Sequence, residues 1–371
     1  MTSLPVPAAM PAAVYHGPRD VRIEERAVPD VRPGELLLRV ATVGVCGSDA
    51  GEWDHGPVQH PVAVRHPSSG HLGPIVPGHE FSGTVVAVGR GADASWIGSA
   101  VASCGSVACG SCEPCRRGES NRCRRYVGVG LHRDGGLAGY VSVPPEACVA
   151  IDGLGISLDE AALCQPMAIA VHCVSRAGDV RGQRVAVLGV GGIGAFLTFA
   201  LVEAGARVIA VDLDPGRLEI ASDLGADRVL RVQGDADDAG LIAEAIGDDE
   251  LRVVFEVSGT AGALATAIGI SPVGTRIVAV GIQRAPVSID LGALTVREQS
   301  IIGTNAQVRE TDFPAAVALI ARRPGGWSGI APTVIPLADV VDGALRPMAE
   351  GRAAAIKLLI DPWADAPRPI R

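Results

Sequence analysis

A glycine-rich turn, Gly189–Gly194, places the strongest constraint on the fold of this 371-residue chain. It follows the apolar run Arg184–Leu188 and opens an apolar helical stretch that extends to about Ala204. In such a strand–turn–helix unit the first glycine permits the tight turn, the second lets the backbone approach a pyrophosphate, and the third lets helix and strand pack closely. The pyrophosphate then lies against unpaired N–H groups at the helix N-terminus. The candidate cofactor-binding residues of this turn are Gly189, Gly191, Gly192, Ile193 and Gly194.

An acidic residue at the end of the next strand indicates which dinucleotide binds. Asp212 closes the apolar strand Val208–Val211, where a carboxylate accepts hydrogen bonds from the ribose hydroxyls and repels a 2′-phosphate. The sequence therefore favours NAD over NADP. Arg217, in the helix that follows, is a further candidate for contacting the cofactor. A glycine-rich helix start in some other α/β protein is the alternative to a dinucleotide site.

The sequence divides into a β-rich part and a part in which strands and helices alternate. Up to about Ala150, runs bounded by glycine and proline, such as Leu36–Val40 and Thr84–Val88, predict short strands with long loops. After Asp159, apolar strands alternate with amphipathic helices, which predicts βαβ units and a parallel sheet. Further predicted elements are the helix Gly216–Leu224, the strands Val253–Phe255 and Arg276–Val280, the helix Phe313–Ala321 and a final strand, Ala355–Ile360.

Four cysteines within a short segment predict a metal site. Cys109, Cys112, Cys115 and Cys123 are separated by two, two and seven residues, so their thiolates can converge tetrahedrally on one Zn²⁺. Four protein ligands leave no position open for substrate, which makes the site structural. The alternatives are an iron–sulfur site or a set of unrelated buried cysteines. The chain has nine cysteines, an odd number in a long chain, so a disulfide framework is not expected.

Composition disfavours several kinds of partner. The formal net charge is −9, which argues against a general nucleic-acid or anionic-membrane binder. No apolar run reaches the roughly 18 residues of a membrane span, and the N-terminus lacks the basic region of a secretory signal. We therefore expect a cytoplasmic protein with neither a nucleic-acid nor a membrane partner. Lys357 is the single lysine beside 31 arginines, a bias that we attribute to coding.

Two short motifs hold further residues of metal-binding type. Cys46 and Ser48 lie in the first motif, and His79 and Glu80 lie in the second. Cysteine, histidine and glutamate are good zinc ligands, but their sequence positions alone do not show that they meet. In isolation each is more simply a core or loop residue, and His55, between the motifs, is more simply a solvated loop histidine.

The motifs of the chain that form a recognisable set are Gly44–Asp49, Gly78–Gly83, Cys109–Cys123, Val187–Gly194, Phe255–Gly259 and Gly274–Val278. Together they resemble those of the zinc-containing medium-chain alcohol and polyol dehydrogenases, over essentially the whole chain. The stretch Gly51–Pro57 and the long loop to Pro77 resemble butanediol and sorbitol dehydrogenases in particular. The resemblance implies an α/β protein: a GroES-like β-rich catalytic domain at 1–163, a Rossmann doubly wound parallel-sheet cofactor domain at 164–304, and a C-terminal segment at 305–371 that returns to the catalytic domain.

The resemblance also implies a second, catalytic zinc in a cleft between the two domains. Cys46 and His79 would be ligands, Glu80 a direct or exchanging ligand, and Asp49 would orient His79. Ser48 would hydrogen-bond the alcohol and begin the release of its proton. Zinc would supply the Lewis acid, and hydride would pass to NAD.

Two positions depart from the family pattern. Where the polyol branch carries a Glu–Pro ligand motif, this chain has Gln165, which can ligate only through its carbonyl oxygen, and Cys164 is an adjacent alternative ligand. Where related alcohol dehydrogenases carry a relay histidine, this chain has Gly51. The proton relay would then pass through His55, a water chain or the ribose hydroxyls.

These observations predict a dehydrogenase with two zinc ions, one catalytic and one structural, that uses NAD to oxidise a secondary alcohol. The expected substrate is a vicinal diol, polyol or sugar, and the expected assembly is a homodimer or homotetramer. One alternative is a biosynthetic ketone or imine reductase of the same fold. Another, from a different class, is a non-catalytic protein that senses NADH. An open zinc site at Cys46, His79 and Glu80 argues against the sensor, which has no need of one.

Overall fold

Apolar and β-branched runs dominate the chain up to Ala150, and in the computed structural model most of them join one large sheet. The structure describes residues 5–235, 237–247, 251–283 and 285–371. One unit of the fold takes the chain up to Ala168 and again from Gln307 onward, and the other contains Ile169–Ala306. The domain boundaries proposed from the sequence stay a prediction.

The elements follow the order that the sequence patterns predict, with short strands first and alternating strands and helices later. The first unit opens with β1 (Ala9–Gly17), β2 (Asp20–Ala27), β3 (Leu36–Val45), α1 (Gly47–His55), β4 (Glu80–Val88), β5 (Ala100–Ser103), β6 (Ser106–Val107), α2 (Glu113–Arg116), β7 (Val127–Gly128), β8 (Tyr140–Val143), β9 (Cys148–Ala150) and α3 (Leu158–Ala161), and α4 (Cys164–Ala177) spans the division. The second unit contains β10 (Arg184–Leu188), α5 (Gly194–Glu203), β11 (Arg207–Asp212), α6 (Pro215–Asp223), β12 (Arg228–Arg231), α7 (Asp238–Ile246), β13 (Leu251–Glu256), α8 (Ala261–Ile270), β14 (Arg276–Ala279), α9 (Leu291–Val296) and β15 (Ser300–Gly303). The returning segment adds α10 (Asp312–Arg322), β16 (Thr333–Pro336), a π-helical turn (Val340–Leu345), α11 (Arg346–Ala349), β17 (Leu358–Asp361) and β18 (Arg368–Pro369).

The large sheet of the first unit brings distant segments of the chain to one place. Its strand order is β18-β16-β17-β3-β4-β5-β9, with β8 also paired to β3. Gly44, near the end of β3, pairs with Glu80 of β4 on one side and with Leu359 of β17 on the other. A Cβ on Gly44 would lie 2.3 Å from Oε2 of Glu80, so only glycine leaves room for that carboxylate. The C-terminal strand thus lies next to the segments that hold Cys46 and Glu80.

The second unit is a six-stranded sheet in which every pairing is parallel. Its order, β12-β11-β10-β13-β14-β15, is that of a Rossmann fold, with the direction of winding reversed between β10 and β13. Side chains on one face of the strands, such as Ala186, pack with Ile242 of α7 and Leu264 of α8. Alternate residues such as Val185 and Val187 are also fully buried, so both faces of the sheet are covered. The predicted fold class is confirmed.

The element predictions hold most closely in the Rossmann unit, where the predicted strand Arg184–Leu188 coincides with β10. The predicted final strand, Ala355–Ile360, is wrong in its first three residues because β17 begins at Leu358. The Lys357 N–H bonds instead to the carbonyl of Ile330 at 3.0 Å. Among the helices of the described residues, none combines the length and hydropathy that crossing a bilayer requires.

Candidate active site and metal centres

Cys46, His79 and Glu80 come together at one end of the large sheet. Cys46 ends the β3 segment and caps α1, and its N–H donates to Oδ2 of Asp49 at 2.9 Å. His79 and Glu80 lie where β4 begins. One ligand atom from each of Cys46, His79 and Glu80 lies within 4.8 Å of the others. The geometry therefore allows these three side chains to bind a single metal ion.

The environment of His79 favours a positive charge. His79 and Asp49 are both buried, and Nδ1 of His79 lies 3.5 Å from Oδ1 of Asp49. Burial alone would lower the pKa of His79, but the charges of Asp49 and Cys46 raise it well above its usual value. Burial would raise the pKa of Asp49, and His79 lowers it instead. Because Nδ1 faces a carboxylate, Nε2 is the ring nitrogen available to a metal, and a metal cation can replace the proton there.

Glu80 has a buried partner that the sequence reasoning missed. Nζ of Lys357 lies 2.8 Å from Oε1 and 2.7 Å from Oε2 of Glu80, and 3.4 Å from the carbonyl of Val45. Glu80 is fully buried and Lys357 is 3% exposed. Burial would lower the pKa of Lys357, but Glu80 and Cys46 raise it above its usual value. The lysine is thus an ammonium ion in the core, and coding bias does not account for its position.

Cys46, His79 and Glu80 are residues of the types that bind zinc, and Glu80 is already paired with Lys357. Thiolate, imidazole and carboxylate are the donor types that zinc prefers, and fewer than four of them leave a position open for substrate. Both oxygens of Glu80 already accept from Lys357, so Cys46 and His79 are the uncommitted ligands. The Lys357 ammonium also adds a positive charge beside the candidate ligands.

Gln165 and Cys164 lie in the first turn of α4, and both are buried. Burial, with a smaller contribution from Glu160, raises the pKa of the Cys164 thiol far above its usual value. Among the described residues, the group of metal-binding side chains that contains Cys46 does not include Cys164, which disfavours the Cys164 alternative. Ligation by Gln165 stays a prediction.

The candidates for proton transfer lie on α1. Ser48 is half-buried in its first turn. The side chain of His55, in the last turn, is 47% exposed, and its Nδ1 lies 3.7 Å from Asp54. A Cβ on Gly51 would lie 3.5 Å from Cε1 of His55, so the imidazole covers the space beside that glycine. His55 therefore lies where a side chain at position 51 would begin.

The four clustered cysteines form a second group of thiols, with one sulfur from each within 4.8 Å of the others. Sγ of Cys112 lies 3.4 Å from that of Cys115 and 3.9 Å from that of Cys123. A tetrahedral site with Zn–S bonds of about 2.3 Å has sulfurs about 3.8 Å apart, so the spacing fits zinc. Arg125, together with nearby N–H groups, lowers the pKa of Cys109, whereas burial and neighbouring thiols raise that of Cys115. Thiols crowded in this way gain from a shared cation.

The cofactor turn has the backbone geometry that its glycines predict. Gly189 has φ of +101°, which only glycine adopts readily. A Cβ on Gly194 would lie 1.9 Å from the carbonyl oxygen of Gly189, so no side chain fits there. Gly191 is less constrained, since its nearest non-adjacent atom would be Nη1 of Arg217 at 3.8 Å. Gly192 and Ile193 lead into α5, and Gly192 is exposed.

Asp212 also holds this turn together. Its Oδ2 accepts from the N–H of Val190 at 2.6 Å, and its Oδ1 accepts from the N–H of Asp214 at 2.9 Å. Arg217 lies 3.8 Å from the same carboxylate. A carboxylate has further lone pairs, so Asp212 can accept from a ribose while fixing the two loops.

Comparison with known proteins agrees with this architecture. Residues 32–153 match the family model for the alcohol dehydrogenase GroES-like domain, and residues 192–322 match that for zinc-binding dehydrogenases. The chain is 32% identical to a sorbitol dehydrogenase of Bombyx mori over 83% of this chain and 87% of that protein. It is 32% identical to an erythritol/L-threitol dehydrogenase of Mycolicibacterium smegmatis over 85% and 88%. The crystal structure of 2R,3R-butanediol dehydrogenase from Bacillus subtilis superimposes with a TM-score of 0.85 at 30% identity, covering 95% of this chain and 99% of that one.

The chain belongs to the zinc-containing medium-chain alcohol and polyol dehydrogenase family. It is an oxidoreductase, and the resemblance drawn from the motifs is confirmed.

Proposed function

We propose that the chain oxidises a vicinal diol or polyol at a secondary alcohol, with NAD as hydride acceptor and one zinc ion at Cys46 and His79. The observation that carries the proposal is the convergence of Cys46, His79 and Glu80 in a chain that also has the dinucleotide turn. When bound, zinc polarises the alcohol oxygen and NAD takes up the hydride.

The residues around this centre hold and position the reacting groups. Cys46 and His79 would hold the metal, and Asp49 keeps the His79 ring in one orientation. Glu80, paired with Lys357, is the exchanging ligand in this proposal, and Gln165 would supply a neutral carbonyl oxygen.

A proton must leave the substrate hydroxyl. We assign the first transfer to Ser48 Oγ, on the first turn of α1, and delivery to solvent to the exposed imidazole of His55. The imidazole ring of His55 has two nitrogens, so it can take a proton on one side and pass a proton to solvent from the other.

The cofactor side uses the glycine turn and Asp212. The N–H groups before α5 would bind the pyrophosphate. Asp212 would accept from the adenosine ribose and disfavour a 2′-phosphate, with Arg217 beside it.

The substrate class rests on what several relatives share. Sorbitol, erythritol, threitol and 2,3-butanediol, named for relatives above, all carry hydroxyl groups on adjacent carbons. A vicinal diol is the smallest unit common to them, and we therefore place it at the centre of the proposal.

The test is a screen of NADH formation at 340 nm with diols, polyols, sugars and simple secondary alcohols, repeated with NADP. The proposal predicts the highest kcat/KM for a vicinal diol or polyol with NAD. Oxidation of simple alcohols alone would contradict the substrate class, and a strong preference for NADP would contradict the role of Asp212.

We also propose that the chain assembles as a homodimer or homotetramer in the cytoplasm. β15 is an edge strand of the parallel sheet, and nearby Leu291 and Val296 are 68% and 83% exposed, which favours a covering partner. The clustered thiols bind zinc only when reduced, as in a cytosol. Light scattering tests the assembly, and Val296→Asp should lower the oligomeric state. A monomeric wild type would contradict the proposed dimer or tetramer.

A further inference from the structure

His60 lies in the long loop after α1 and is 4% exposed. Its Nδ1 lies 3.1 Å from the carbonyl oxygen of Leu131. A carbonyl only accepts, so Nδ1 carries the hydrogen and Nε2 is left with a lone pair. Nε2 is buried and has no hydrogen-bond partner among the residues that the structure describes. The ring therefore presents an unused hydrogen-bond acceptor.

The loop that carries His60 is fixed from both sides. Glu52 is 2% exposed, and its carboxylate accepts from the N–H of Val58 at 2.9 Å and from the N–H of Gln59. The Tyr15 ring meets the imidazole edge-on, with centroids 5.1 Å apart, and the Tyr15 hydroxyl donates to the Glu52 carbonyl. The imidazole cannot turn to satisfy Nε2 without breaking these contacts.

His60 is anchored to the two segments that carry the candidate zinc ligands. Glu52, which holds the loop, is on α1, the helix capped by Cys46. Leu131 follows Gly130, whose Cβ, if present, would lie 2.9 Å from the backbone nitrogen of His79. The imidazole is thus tied to both segments of the centre that the proposed function assigns to alcohol oxidation, and the charges of Asp49 and His79 act on it.

Two further buried polar atoms of this centre lie close to each other. Nδ1 of His79 and Oδ1 of Asp49 are without hydrogen bonds among the described residues, but they face each other at 3.5 Å. Burial lowers the pKa of His60, although the charges of Glu52 and Asp49 oppose the shift. His60 is therefore neutral at pH 7 and available to accept a hydrogen bond from a hydroxyl group.

We propose that Nε2 of His60 accepts a hydrogen bond from the second hydroxyl of the substrate, the one that is not oxidised. This assignment rests on the proposed function and makes His60 a specificity-determining residue for vicinal diols. A substrate with a methylene group in place of that hydroxyl leaves the buried acceptor unpaired. Sites built to hydrogen-bond a hydroxyl discriminate strongly against analogues that lack it.

The experiment compares 2,3-butanediol with 2-butanol in the wild type and in His60→Leu and His60→Gln. His60→Leu should lower kcat/KM for the diol about 10–100-fold and change that for 2-butanol less than about threefold. His60→Gln should recover part of the loss, because its amide oxygen can accept a hydrogen bond. The matched control is His71→Leu in the same loop, where Nε2 lies 3.1 Å from the carbonyl of Pro74, and the diol preference should be unchanged.

The ratio of the two kcat/KM values does not depend on how much of a preparation is folded, since both substrates are measured on one sample. Equal losses for diol and mono-alcohol in His60→Leu would overturn the assignment and leave the proposed function standing. A wild type that oxidises no diol or polyol of the screen described above would contradict the proposed function and the assignment together.

Discussion

Replacing Lys357 by methionine tests the buried ion pair at the centre of the site. Methionine keeps most of the aliphatic volume and removes the charge. Glu80 is fully buried, and both of its oxygens lie within 2.8 Å of Nζ, so the variant leaves a carboxylate in the core without its cation. Breaking a buried pair by removing one partner costs about 3–5 kcal/mol.

We expect about 4 kcal/mol, near the middle of that range, because the Val45 carbonyl also loses a donor. With a urea m-value of about 2–3 kcal/mol/M, the unfolding midpoint should fall by about 1.3–2 M. Urea unfolding followed by circular dichroism at pH 7 measures the shift.

The matched control is the double variant Glu80→Gln/Lys357→Met. Because the double variant removes both charges, its free energy of unfolding should exceed that of Lys357→Met alone by at least about 2 kcal/mol. This difference would recover about half of the loss. A loss below about 1 kcal/mol in Lys357→Met, or a double variant less stable than the single one, would refute a strong buried pair.

Four further predictions follow. Cys112→Ser should remove one zinc per chain and lower the melting temperature, and an unchanged zinc content by mass spectrometry would contradict the structural site. His55→Ala should lower kcat about tenfold at pH 7, and normal rates at every pH would exclude that relay. Asp212→Ala should lower kcat/KM for NAD at least about tenfold (~1.4 kcal/mol), and it should reduce the ratio of kcat/KM for NAD to that for NADP. An unchanged ratio of these two values would refute the role of Asp212. Gln165→Glu should raise the acidic pKa of the kcat/KM profile, since an added anion beside the metal disfavours deprotonation, and an unchanged profile would contradict ligation at this position.

The sequence alone predicts those parts of the structure whose stabilising interactions join residues that are close together in the chain. The strand Arg184–Leu188 and the turn after it were predictable because their glycines and apolar residues act within a few positions. The four thiols of the second metal group also lie close together in the chain. The meeting of Cys46 with His79 could be expected only from a resemblance, since the sheet that joins their segments is non-local.

The Lys357–Glu80 pair spans 277 positions, and nothing local in the sequence indicates it. The one available signal was the lysine itself, single among 31 arginines and placed in an apolar run. His60 and Leu131, 71 positions apart, were likewise out of reach. The start of the final strand was predicted wrongly for the same reason. The backbone N–H of Lys357 bonds to the carbonyl of Ile330, which is distant in the sequence, and does not pair with a neighbouring strand.

The catalytic centre is tested most directly by counting zinc per chain in the wild type and in Cys46→Ser, by mass spectrometry of the purified proteins. Two distinct groups of ligands predict two zinc ions in the wild type. Cys46→Ser should retain one zinc, in the four-cysteine group, and lose alcohol oxidation. A wild type with one zinc, or a Cys46→Ser variant with two and full activity, would contradict the assignment of Cys46, His79 and Glu80 as the catalytic centre.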